Sequence, residues 1–100
     1  DFLSNIISNL NESFGIDFSD DDKVNLRRMF SIYKDNEEYK NIHEGDNTYS
    51  NKKSFSDKLF DDLSQELVDR DLEFYKKIQK PEVNNFLKRI FYERYEEQLT

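Results

Sequence analysis

Four large apolar residues at every fourth position, Phe55, Leu59, Leu63 and Leu67, most narrowly limit what this chain can fold into. That interval, with Phe60 beside the row, predicts one stripe of an amphipathic helix. Further on, the pattern doubles. Leu67, Phe74 and Ile78 form one row, and Val68, Leu72 and Tyr75 form a second about 100° round the helix, so this half is expected to touch partners on two sides. A segment apolar on two sides belongs in the middle of a helical bundle. As one continuous helix, Phe55 to Ile78 spans roughly 36 Å, the depth of a small domain. A break is expected, if anywhere, at Asp69-Arg70-Asp71, where either Asp can cap a new helix.

The other elements follow from the same spacing. Leu3, Ile6, Ile7, Leu10 and Phe14 predict a helix over about 2–14, ended by Gly15. Ile16 and Phe18 flank Asp17 in an extended link. Ser19 with Asp22 resembles a capping box in which Asp replaces the usual Glu, and Asp20, Asp21 and Asp22 fill a first turn that favours negative charge. The helix they open is expected over 20–34, burying Leu26, Met29, Phe30 and Tyr33. Asp35 and Glu38 can cap a short helix at 36–43 that carries Tyr39 and Ile42. Residues 43–51, HEGDNTYSN, concentrate turn formers and read as an exposed loop. The central helix is then expected over 52–79. Pro81, well placed at a first helical position, opens a final helix over 82–98 whose broad apolar face holds Val83, Phe86, Leu87, Ile90, Phe91 and Tyr95. The expected fold is all-α, a compact bundle of about five helices with no sheet.

Composition agrees with that expectation. The 100 residues suit one domain, and nine Phe and six Tyr are too many large apolar groups for a disordered tail. Gly and Pro together number three, which leaves little punctuation for hairpins. Cysteine is absent and no long apolar run occurs, so a reducing cytoplasm and no membrane association are the default reading. Charge is uneven. Residues 1–50 carry 11 acidic and 5 basic side chains, whereas residues 51–100 carry 11 and 10. An acidic domain is a poor non-specific binder of nucleic acid, because phosphate neutralisation dominates that affinity. One local exception is the basic cluster Lys76, Lys77, Lys80, Lys88, Arg89 and Arg94, a candidate weak DNA contact whose alternative use is as a solvated helix face.

The residues offer no catalytic constellation. His43-Glu44-Gly45-Asp46-Asn47 lacks the second histidine of a zinc-binding HExxH helix. The acidic run from Asp17 to Asp22 lacks the glycine and terminal Glu of a calcium loop. Glu38-Tyr39-Lys40 offers part of a nuclease metal site, without a strand to present the remaining ligand. Neither a GxxxxGK[ST] phosphate loop nor a Ser with an evident His partner is present. No catalytic, cofactor or metal residues are therefore expected here.

The stretch Leu3-Ser4-Asn5-Ile6-Ile7-Ser8-Asn9-Leu10-Asn11-Glu12-Ser13-Phe14-Gly15-Ile16-Asp17-Phe18-Ser19 resembles the LxxIIxxLNxxFGTDFT segment near the C-terminus of R (restriction) subunits of type I restriction-modification enzymes. Phe74-Tyr75-Lys76-Lys77-Ile78, then Pro81-Glu82-Val83, then a helix with Tyr95 are similar to the FxKIxxxPEF and YERL region that follows in that family. The chain departs from the pattern at Ile16, where Thr is common, and at Lys80, where Asp usually precedes the Pro; residues 43–54 do not align. The resemblance implies a C-terminal helical domain of a larger subunit whose ATP- and Mg2+-dependent nuclease and DNA translocase lie elsewhere. It further implies partners in the methyltransferase M and S subunits and in neighbouring R-subunit domains, with DNA contacted indirectly. In that role the domain would dock motor and nuclease onto the methyltransferase core in the bacterial or archaeal cytoplasm. Tyr75, Tyr92 and Tyr95 are the candidate protein interface, since Tyr supplies apolar area with a polar tip; core packing is the competing use of the same side chains. Two other readings compete: a small acidic DNA mimic that inhibits a DNA-processing enzyme, and an autonomous metal-dependent enzyme.

Overall fold

A computed structural model describes residues 2–32 and 49–99, without the side chains at 32, 49, 50, 95 and 97–99. The expected helix at 36–43, the expected loop at 43–48, Tyr33, and the fragments around Glu38 and His43 lie outside the described residues. Within them the secondary structure is entirely helical: α1 (Phe2–Phe14), α2 (Asp20–Ile32), α3 (Tyr49–Gln65), α4 (Leu72–Gln79) and α5 (Pro81–Leu99). No strand occurs among the described residues. None of the described helices is long and apolar enough to cross a membrane.

Helix α1 buries Leu3, Ile6 and Leu10, the row its sequence period predicts. It stops at Gly15, whose φ of +64° is a left-handed conformation that L side chains rarely adopt. The Gly15 amide closes the last turn on the Asn11 carbonyl at 2.9 Å. Asn11 then holds the exit: its Nδ2 donates to the Ile16 carbonyl at 3.3 Å and to the Asp17 carboxylate at 2.6 Å. The capping box forms as expected. The Asp22 amide donates to Ser19 Oγ at 3.1 Å, and the Ser19 amide donates to Asp22 Oδ2 at 3.0 Å, so two otherwise orphaned donors are satisfied reciprocally.

The continuous helix expected over 52–79 is instead two helices. Helix α3 ends at Gln65, and residues 66–70 form a turn. The Leu67 and Val68 amides bond three residues back, to the carbonyls of Ser64 and Gln65, at 3.0 and 3.2 Å. That tightens the last turn beyond α-helical winding. Asp71 then opens α4, with φ −152°, ψ 81° and its Oδ1 accepting from the Phe74 amide at 3.1 Å. Its other oxygen, Oδ2, accepts from Asn25 Nδ2 of α2 at 3.0 Å, which ties the break to a neighbouring helix. The second apolar row therefore does not form a buried face: Leu72 is 48% exposed, and Val68 and Tyr75 are half-buried.

The start of α3 also differs from expectation. Residues 49–51, read as loop from their polar composition, are helical. Fixed polar contacts to α5 flank this turn: Lys52 Nζ lies 2.6 Å from Glu96 Oε1, and Lys53 Nζ lies 6.0 Å from the centre of the Tyr92 ring. Polar residues here serve a helix instead of interrupting one.

Helix α3 packs most extensively on α5 and also meets α2 and α4, so the stretch that begins at Phe55 is central, as its period predicts. The core is aromatic. Phe30 meets Phe2 and Phe91 edge to face at 5.7 and 5.5 Å between ring centres, and Phe91 meets Phe60 at 5.7 Å. Edge-to-face pairs at these distances add to the area effect because the positive ring edge faces the negative ring face. Phe60, Phe74 and Phe91 are fully buried, each stabilising the fold by roughly 1.5–3 kcal/mol over an exposed ring.

Candidate protein-docking surface

Of the residues singled out in the sequence, Tyr75, Lys76 and Lys77 lie on α4, Lys80 lies between the helices, and Lys88, Arg89, Tyr92, Arg94 and Tyr95 lie on α5. Phe74 and Ile78 point fully inward, and the 100° step between residues turns Lys77 toward the α1–α2 link while Lys76 stays exposed. Lys77 Nζ lies 2.6 Å from Asp22 Oδ2 and donates to the Asp17 carbonyl at 2.9 Å. Its charge also lies 5.6 Å from the centre of the Phe18 ring, which itself packs edge-on against Phe74. Lys77 thus acts as an internal strut between α4 and the start of α2.

The other cations of that cluster go to different neighbours. Lys88 pairs with Asp61 of α3 at 3.0 Å, Arg89 lies over the Phe86 ring at 5.3 Å, and the Arg94 guanidinium lies over Phe2 at 4.0 Å. Lys76 and Lys80 are exposed. Arg89 is exposed as well, so the candidate DNA contact is divided between packing roles and three surface cations.

The tyrosines divide likewise. Tyr75 is half-buried, and its hydroxyl accepts from Gln65 Nε2 at 3.0 Å, bridging the two sides of the α3–α4 turn. Tyr92 is only 8% exposed and its hydroxyl donates to Glu96 Oε1, so it belongs to the margin of the core and offers little area to a partner. The Tyr95 side chain lies outside the description.

A feature with no sequence signal sits where the turn meets α2. Asn25, Arg28 and Met29 on one side and Leu63, Glu66, Leu67 and Arg70 on the other line a small, narrow cleft open to solvent. Its floor is the core itself, since Met29, Leu63 and Leu67 are all buried. Arg28 and Arg70 on its rim are exposed. Residues 63, 66, 67 and 70 share one helical face, as do 25, 28 and 29, but nothing in the spacing says that the two faces meet. A second, shallower groove runs over α1 and the link between Ile7, Asn11, Ile16, Phe18 and Lys23. Two of its polar groups are already used: Asn11 holds the exit of α1, and Lys23 lies 3.7 Å from Asp20.

No group of three or more His, Cys, Asp or Glu side chains among the described residues is placed to hold a metal ion. The chain matches no protein-family model, and no curated protein or solved structure shows significant similarity to it.

Proposed function

We propose that this chain is a non-catalytic helical assembly domain of a type I restriction-modification R subunit, docking an ATP-dependent DNA translocase and endonuclease onto the methyltransferase core. The observation that carries the proposal is the resemblance of Leu3–Ser19, followed in order by that of Phe74–Val83. The residues of that resemblance have physical work in the fold. Leu3, Ile6 and Leu10 are buried, Gly15 takes the left-handed turn, Asn11 holds the helix exit and Ser19 caps α2. Such a pattern would mark a scaffold and not a reactive centre, which fits assembly better than catalysis.

The DNA-mimic reading draws on net charge alone. Mimicry asks for a track of carboxylates held free for a basic partner, whereas Asp22, Asp57, Asp61 and Glu96 are each paired with a lysine of this chain. Docking is tested by titrating the chain against an assembled methyltransferase core, with and without duplex DNA, at two salt concentrations. Saturable binding without DNA is the expected result. Binding that requires DNA and disappears at high salt would transfer the role to the basic cluster, whose exposed members are Lys76, Lys80 and Arg89, and no binding would remove the proposal.

A further inference from the structure

We infer that the groove over α1 and the α1–α2 link is the seat of an arginine side chain presented by a partner protein. The inference rests on the docking reading and names the surface and the partner chemistry that docking would use. The groove has room for such a side chain. It offers about 270 Å3, several times the roughly 30 Å3 that a water molecule occupies in the liquid. Ile7, Ile16 and Phe18 form its apolar side, and Ser8, Asn11, Glu12 and Asp17 form its polar side. That division suits a long aliphatic stem ending in a charged head.

Hydrogen-bonding capacity selects the head. Asn11 Nδ2 gives both of its hydrogens to the fold, one to the Ile16 carbonyl and one to Asp17 Oδ1, and because both partners are acceptors the amide has one orientation. Its own oxygen is left over. Among the described residues the Glu12 carboxylate has no hydrogen-bond or ion-pair partner, and only one oxygen of the Asp17 carboxylate is used. The polar side is therefore rich in acceptors and has spent its amide donors internally, so what fills it must donate. A guanidinium carries five donors in a planar fork and no acceptor, and its weak hydration eases transfer onto a surface that is partly apolar.

Charge points the same way. Residues 2–19 hold Glu12 and Asp17 and no basic side chain. Both cations beside the groove are engaged: Lys23 lies 3.7 Å from Asp20, and Lys77 lies 2.6 Å from Asp22 while donating to the Asp17 carbonyl. With those pairs set aside, Glu12, Asp17 and the exposed Asp21 stand against Arg27, which lies one turn beyond Lys23 and outside the lining. A carboxylate surplus of this kind attracts a guanidinium and repels the phosphates of DNA. Asn5 and Asn9 continue round α1 from Ser8 and Glu12 and are exposed, so their amides can meet the backbone that carries the arginine.

The test uses the whole chain, immobilised, to select from a displayed random-peptide library, with duplex DNA as competitor. The expected winners carry an arginine, lose at least about tenfold in affinity when it is replaced by Gln, and in solution perturb the methyl resonances of Ile7 and Ile16. The double variant Glu12→Gln/Asp17→Asn keeps an oxygen for Asn11 to bond, so its circular dichroism and melting temperature stay near those of the parent. It should also lose at least about tenfold in affinity for the winners, whereas Glu82→Gln/Glu93→Gln, the same loss of charge from exposed sites on α5, should stay within about twofold. Failure to enrich any peptide, winners without arginine, equal binding by the two double variants, or displacement by DNA would each overturn the inference. The groove variant titrated against the methyltransferase core separates the two ideas. Undiminished binding overturns the seat and leaves docking intact; a parent chain that ignores the core overturns docking, and the peptide selection still decides the seat.

Discussion

Lys77 Nζ sits 2.6 Å from Asp22 Oδ2, a contact that joins residues 55 apart in sequence. The carboxylate is almost wholly buried and is also half of the capping box that starts α2, so one oxygen serves both the local turn and the tertiary fold. Lys77 itself remains partly exposed, with its side chain at 30%, so solvent screening reduces what the pair contributes.

Removing the ammonium leaves a buried carboxylate with fewer partners. Lys77→Met should therefore destabilise the fold by about 1–3 kcal/mol. Lys76→Met, one residue away on the exposed side, should stay within about 0.5 kcal/mol of the parent. Urea denaturation of both variants provides the comparison, and equal midpoints would deny Lys77 its role as a strut.

Gly15→Ala tests the end of α1. A Cβ there would meet no atom within 4 Å, so any cost comes from the backbone at φ +64° alone. That cost should be roughly 1 kcal/mol, and Gly15→Asn should lose less because Asn tolerates the left-handed region. Thermal melts of the pair would show the ordering; an Ala variant as stable as the parent would contradict the turn.

Ser56 is fully buried in α3 and its hydroxyl has no hydrogen-bond partner among the described residues. Ser56→Ala removes an unsatisfied polar group and improves helix propensity, so it should stabilise the fold by about 1 kcal/mol. A lower melting temperature in this variant would mean that the hydroxyl has a partner.

The helix break yields a contrast between neighbours in sequence. Leu63→Ala, in the core, should cost about 2–5 kcal/mol, while Leu72→Ser, at the exposed start of α4, should cost less than about 0.5 kcal/mol. Asp71→Ala removes the cap of α4 together with the partner of Asn25, and should cost about 1–2 kcal/mol. Amide exchange in residues 72–75 should accelerate in the Asp71 variant before it changes elsewhere, and uniform acceleration would argue against a separate α4.

How far the sequence leads depends on whether a feature is encoded locally. The end of α1 at Gly15 and the Ser19–Asp22 box are decided by residues within one turn of each other, so both were legible. The row Leu59, Leu63 and Leu67 likewise predicted burial correctly. The place of the break was legible, since Asp71 caps α4 within the Asp69-Arg70-Asp71 stretch that offered a cap; the bond that Asn25, 46 residues earlier, makes to its second oxygen has no local signal. For the candidate site the same reasoning applies more strongly. Lys77 and Lys88 look like surface charges in sequence, and only the folded positions of Asp22 and Asp61 turn them inward. The cleft between Arg28 and Arg70 exists only because α2 and the end of α3 meet, which neither helix's own spacing announces.

The aromatic contacts of α1 have a consequence for the order in which the protein can be made. Phe14 rests on Phe86 and Phe2 lies under Arg94, so the residues that seat α1 leave the ribosome long after α1 itself. Until α5 has emerged, Leu3, Ile6 and Leu10 lack the cover that α5 gives α1, and neighbouring chains on a polysome can compete for them. Completion of α5 is then the event that withdraws this surface from circulation. Nascent chains halted before Phe86 should accordingly depend on chaperones, whereas chains released beyond Arg94 should not.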